Sequence, residues 1–248
     1  MTGPRIALLT YSTKARGGVV HTLALAEALV ALGADVTVIT LGDPEVGFYR
    51  DVAAPTMVFP APTGAGTLDQ KVFDSIDALE RGLAQVADQF DVWHTQDCIS
   101  ARAACRVRDA GAPVRVLRTV HHMDDFTTEA LINCQIAAIH EPDQIFVVSE
   151  HWRHRLDEEY GVAADVVFNG VDVARFAHAD ESLVASLRAR TGLPDERFRF
   201  LAVGGLEPRK GALHLVRALA DLKERLADPP ALIVLGGHSF QDHAAYRD

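Results

Sequence analysis

Short, unbroken apolar runs recur along this chain, each closed by small or polar residues and followed by a stretch of helical period. Residues 5–10, 35–40, 56–59, 91–94, 114–119, 144–148 and 165–168 are such runs. Successive side chains of a strand point to opposite faces, so a strand that is apolar at consecutive positions must be covered on both sides. Helical segments lie between them. Residues 19–32 carry one charge, Glu27, which predicts a helix buried as one covering a sheet would be. Val72, Ile76, Leu79, Leu83 and Val86 recur every three or four positions and mark an amphipathic helix. Further helices are predicted near 99–109, 128–140 and 150–160. Apolar strands alternating with helices define an α/β chain with a doubly wound parallel sheet, in which ligands gather at the carboxyl ends of the strands.

The polar clusters fall at those ends. Gly17-Gly18 follows the first strand, His94-Thr95-Gln96-Asp97 the fourth, and His121-His122-Met123-Asp124-Asp125 the fifth. Ser149-Glu150 follows the sixth and Asn169-Gly170-Val171-Asp172 the seventh. One polar strand end is ordinary; five on one edge outline a cleft. Ser149 is explained as the N-cap of the helix after it.

A second βα unit begins at Phe198. An apolar strand runs into Val203-Gly204-Gly205, then Pro208, Arg209, Lys210 and Gly211. Proline suits the first position of a helix, which would place Glu207 at the N-cap and both cations in the first turn. Cations sit badly against the positive end of the helix dipole unless they serve an anion, most plausibly a phosphate. A helix and a second strand of this unit, over 231–235, are expected to follow.

Charge and composition narrow the class. A formal net charge of −10 in 248 residues argues against a nucleic-acid footprint, which needs a basic face. No run approaches the roughly 20 apolar residues of a membrane span. The chain enters a strand directly after Arg5, with no secretory signal in view, and Cys98, Cys105 and Cys134 have neither metal spacing nor an even disulfide count. These features point to a reducing cytoplasm. Residues 151–155 (His-Trp-Arg-His-Arg) form a basic helix face that could meet an anionic acceptor or a membrane surface, though a solvated face with Trp152 inward explains them more simply.

Gly17-Gly18 before a buried helix, His121 after a strand, the Asn169-Gly170-Val171-Asp172 turn and Pro208-x-Lys210-Gly211 occur in that order. Together they resemble the retaining GT-B glycosyltransferases of family four, over about residues 5–237. The resemblance implies two Rossmann-like doubly wound parallel-sheet domains. Residues 1–172 would be an acceptor-side domain and 173–248 the start of a nucleotide-sugar domain, incomplete as it stands. It implies a nucleotide-diphosphate sugar donor, an acceptor that the residues do not identify, and no metal or other cofactor. His121, Arg209 and Lys210 would be catalytic; Gly17, Gly18, Gly205, Arg209 and Lys210 would bind the donor. His94, Asp97, Asp124, Asp125 and Asn169 would lie on the acceptor side.

The chain departs from the family pattern. Gly205 stands where the family carries a phosphate-gripping arginine, while Arg209 precedes Lys210. The family's late pair of glutamates has no counterpart before Asp248. A half-domain of strand, helix and strand would leave an unpaired sheet edge and favour self-association. Two rivals follow: a non-catalytic binding or assembly module, and a nucleotide-sugar epimerase or glycosidic phosphorylase on the same scaffold. A metal held by His94, His121, His122, Asp124 and Asp125 matches no standard ligand spacing.

Overall fold

The computed structural model describes residues 3–64, 66–177, 179–192, 198–204, 206, 208–236 and 246, and of Arg209 the backbone alone. The chain divides into two compact units, 1–171 and 172–248.

The first unit is built on seven parallel strands: β1 (Arg5–Leu9), β2 (Asp35–Gly42), β3 (Thr56–Pro60), β4 (Val92–Thr95), β5 (Arg115–Val120), β6 (Gln144–Val147) and β7 (Asp165–Val166). Their order is β3-β2-β1-β4-β5-β6-β7. The direction of winding reverses between β1 and β4, the switch point where an open α/β sheet leaves a crevice. Leu8 pairs with His94 and Leu9 with Thr95 across that point.

Helices cover both faces. On one side α2 (Leu68–Ala84), α3 (Cys98–Asp109) and α4 (Glu129–His140) pack Ile76, Leu79, Leu83, Cys105 and Leu131 against Ala7, Leu9, Trp93 and Val116. Each such fully buried Leu or Ile contributes roughly 1.5–3 kcal/mol relative to exposure. On the other side α1 (Gly17–Ala31) seats Val19, Leu23 and Ala26 on Leu8, Val36 and Val38. This helix covers the sheet with one face only. Val20 and Leu32 are exposed, so its lack of charge overstates its burial. Helix α5 (Glu150–Tyr160) adds Leu156 beside Val120 and Val147. Local signals set the helix ends. Thr67 and Gln70 close a capping box on α2, Asp97 caps α3 and Ser149 caps α5.

The second unit holds α6 (Glu181–Thr191), β8 (Arg199–Val203), α7 (Ala212–Arg225) and β9 (Ala231–Leu235), with β8 and β9 parallel. Phe198, Leu201, Val203 and Leu235 are exposed. The expected helix start at Pro208 is corrected here. Residues Pro208–Lys210 make a 3-10 turn, and α7 begins only after Gly211, whose φ of 70° is left-handed backbone. Gly211 N donates back to Pro208 O at 3.0 Å, closing the turn before the helix opens. Arg209 and Lys210 therefore precede the first helical turn. Gly205 and Glu207 lie outside the described residues, as does the Arg209 side chain.

Candidate functional site: a histidine cluster at the sheet switch point

Strands β4 and β5 end side by side, and alternation turns His94 and Gln96 to the same face of the sheet as Thr119 and His121. That face lies under α1. His121 Nε2 hydrogen-bonds Gln96 Oε1 at 3.0 Å, and His94 Nε2 meets Thr119 Oγ1 at 2.7 Å. His21, one turn into α1, sets its ring at 70° to that of His121 with centroids 4.6 Å apart. Asn169, in the turn after β7, acts on the His21 ring electrostatically, favouring its charged form. A chain of contacts thus runs His21, His121, Gln96.

Burial keeps these rings neutral. It lowers His121 to about 3, helped by repulsion from His21, His122, Arg118 and His94. Burial lowers His94 to about 4, with His21 adding to the effect. Burial also lowers His21, against the opposing pull of Asn169. A neutral imidazole offers one N–H and one lone pair, which suits it to orienting hydroxyl groups.

The other predicted residues separate by role. Asp97 is committed to the fold: its Oδ1 accepts from Ser100 N at 2.8 Å and its Oδ2 from Tyr11 N at 3.1 Å. It thereby caps α3 and ties the loop after β1 to the end of β4. Burial pushes its carboxyl up, against the hydrogen bonds from Ser100. Asp124 is held through its backbone, its N donating to Gln135 Oε1 at 2.8 Å and its O accepting from Gln135 Nε2 at 3.0 Å. Its carboxylate faces His122 Nε2 at 3.4 Å, and Asp125 is exposed. Among the described residues no three His, Cys, Asp or Glu side chains gather as a metal requires.

Gly17 and Gly18 open α1. A Cβ at either would meet nothing within 4 Å, so packing does not require glycine there. Arg16 stands at the N-cap and its side chain makes no capping bond, which leaves the first N–H groups of α1 facing that space. Beside this loop, at the ends of β1, β2 and β3, opens a cleft of about 690 Å³ walled by Tyr11, Thr13, Lys14, Pro44, Tyr49 and Pro62. Arg16 reaches the Tyr11 hydroxyl and lies over its ring at 5.3 Å.

In the second unit Lys210 lays its stem against Gly204, 3.5 Å from where a Cβ would stand. Leu213 N, in the first turn of α7, donates to the Tyr246 hydroxyl at 2.9 Å. The arginines of the basic stretch pair within α5, Arg153 with Glu150 and Arg155 with Glu159, and Arg155 covers Trp152. No helix among the described residues is long and apolar enough to cross a membrane. Burial pushes the Cys98 thiol up to about 12 and Cys105 to about 11, as for inert core residues.

Sequence reasoning reached His121, His94 and Asn169 but not His21 or Gln96. The signal for His21 was a lone aromatic polar ring in a largely apolar helix, four residues after Gly17.

The seven-stranded, doubly wound parallel sheet with helices on both faces is an α/β architecture shared with GT-B glycosyltransferases. The solved structure of Anabaena Alr3699/HepE in complex with UDP and glucose matches it with a TM-score of 0.67 at 18% identity, covering 96% of this chain and 62% of that one. Residues 15–175 match the family described as Glycosyltransferase Family 4, and the chain belongs to that family. A GDP-mannose-dependent alpha-(1-6)-phosphatidylinositol monomannoside mannosyltransferase of Mycobacterium tuberculosis H37Rv is 32% identical over 197 residues, 77% of this chain and 47% of the relative. A D-inositol 3-phosphate glycosyltransferase of Corynebacterium aurimucosum is 26% identical over 262 residues, 94% of this chain and 62% of the relative. The chain spans about half the length of the mycobacterial relatives it matches.

Proposed function

We propose that this protein takes part in transferring a hexosyl group from a nucleotide-diphosphate sugar to a hydroxyl acceptor, with retention at the anomeric carbon and without a metal. The observation that carries the reading is the family match over residues 15–175, the span that includes the Gly17-Gly18 loop, His21, His121 and Asn169. Breaking a sugar–diphosphate bond builds negative charge on the leaving phosphate and positive charge on the anomeric carbon, and fixed donors and cations aimed at that charge lower the barrier. Within the second unit, Lys210 and Arg209 would offer positive charge to a diphosphate. The uncapped N–H groups at Gly17 and Gly18 would approach donor oxygens, for which a bare backbone and empty space above it are suited. His121 would orient the transferred sugar.

The first unit is read as the acceptor side. Its cleft joins aromatic rings, Tyr11 and Tyr49, to the cation Lys14, which suits a polyol bearing an anionic group. The relatives' names, which mention phosphatidylinositol and inositol phosphate, support the same chemistry. Three free cysteines, all with thiols raised by burial, support a cytoplasmic setting.

The test is a panel of GDP-, UDP- and ADP-sugars against the 248-residue chain, read first by thermal shift and then by product NMR with and without a chelator. Stabilisation by one nucleotide family, with transfer of unchanged anomeric configuration that the chelator leaves intact, supports the reading. Binding without transfer would assign the chain to a non-catalytic module. Release of an epimerised sugar or a sugar phosphate would assign it to the epimerase or phosphorylase class.

A further inference from the structure

We infer that Gln96 and His21 are positioning residues that hold His121 as the Nε2–H tautomer, with the bare Nδ1 presented as a hydrogen-bond acceptor to a ligand hydroxyl. The inference rests on the transferase reading for the identity of that ligand, but its geometry stands apart from it. Gln96 is 4% exposed, at the carboxyl end of β4, and its Oε1 lies 3.0 Å from His121 Nε2. An amide oxygen only accepts, so the imidazole nitrogen facing it carries the proton. The ring faces His21 from α1, His94 from β4, and Arg118 and His122 from its own strand and loop, all of which disfavour a second proton. With Nε2 engaged, Nδ1 is the nitrogen left to accept.

His21 fixes the remaining freedom. Its ring meets that of His121 edge to face at 4.6 Å, a contact that sets the tilt of the imidazole plane. The pair therefore determines both which nitrogen is bare and where it points. A residue so arranged accepts a proton-bearing hydroxyl and does not act as a proton donor. This gives His121 an orienting role in the reaction.

Long-range ¹H–¹⁵N NMR of the 248-residue chain at neutral pH tests this with no sugar nucleotide present. His121 should show Nε2 protonated and Nδ1 bare. Gln96→Leu removes the acceptor and should move the two nitrogens toward the averaged shifts of exchanging tautomers. Gln96→Glu keeps an acceptor and adds a charge, so the tautomer should persist while the titration point of His121 rises by about one pH unit or more. His21→Ala should broaden the His121 ring signals, and His21→Phe should restore them. A wild-type proton on Nδ1, as a reversed Gln96 amide would give, overturns the inference, as would a Gln96→Glu spectrum and titration identical to wild type. Gln96→Glu keeps the test decisive if Gln96→Leu fails to fold. Either result leaves the sugar-nucleotide panel independent, so failure of one reading is separable from failure of the other.

Discussion

At His121 the fold holds a half-buried polar ring between a glutamine and a second histidine. His121→Ala should lower transfer by about 10²-fold, the scale of a lost polar transition-state contact, and leave nucleoside diphosphate affinity nearly unchanged. Equal losses in turnover and in binding, measured by steady-state kinetics and calorimetry, would make the residue structural. The loop that carries His121 depends on Gln135, 7% exposed, whose amide clamps both backbone groups of Asp124. Gln135→Leu leaves those groups without their partner and should destabilise the first unit by about 1–3 kcal/mol in urea unfolding. His121 was legible in the sequence because it directly follows an apolar strand. Gln96 and His21 were not, because only strand alternation and helix packing bring them onto one face. Asp97 has a structural task that the sequence did not show: its carboxylate caps α3 and ties Tyr11.

Among the elements, the seven strands of the first unit were readable almost to the residue, because consecutive apolar positions admit a parallel, doubly covered strand. The start of α7 was not. Proline's preference for a first helical position was outweighed by Gly211, whose left-handed backbone closes a separate 3-10 turn. The proposed diphosphate site then has its cations standing before the helix. Arg209→Ala should weaken nucleoside diphosphate binding by about 2–3 kcal/mol, the upper range for charge-assisted hydrogen bonds. Arg209→Lys should recover only part, since lysine cannot bond bidentately. Unchanged calorimetric affinity would leave Lys210 to act alone. The layer between α1 and the sheet makes a separate prediction. His94 falls from 6.5 to about 4 on folding through burial, so between those values the unfolded chain binds more protons than the folded one. The stability it contributes is complete above pH 6.5 and is lost as pH falls toward 4. His121 extends the loss toward 3. Urea midpoints should drop across this window, and His94→Gln should make the drop shallower by about one proton's worth of slope.

On the scale of the whole molecule the two units differ in how completely they cover their sheets. The first buries its strands between helices on both faces and pairs seven of them. Expressed as residues 1–171, it should unfold in one cooperative transition and keep the midpoint it has in the full chain; a broad or shifted transition by circular dichroism would show that it depends on the rest. The second unit has a two-stranded sheet, a size that is marginal in water without further cover. Leu201 is 63% exposed, Val203 73% and Leu235 61%, and among the described residues each strand has one unpaired edge. Exposed, apolar strand edges are templates for another copy. The 248-residue chain should therefore self-associate with rising concentration, while 1–171 stays monomeric. A charge placed on the edge, Leu235→Lys, should shift the full chain back toward monomer, as gatekeeper charges do at other open edges. Sedimentation velocity over a hundredfold range of concentration distinguishes the outcomes. A full chain that remains monomeric throughout would mean that these apolar side chains are not sticky in solution, and the case for an interface at β8 and β9 would fall.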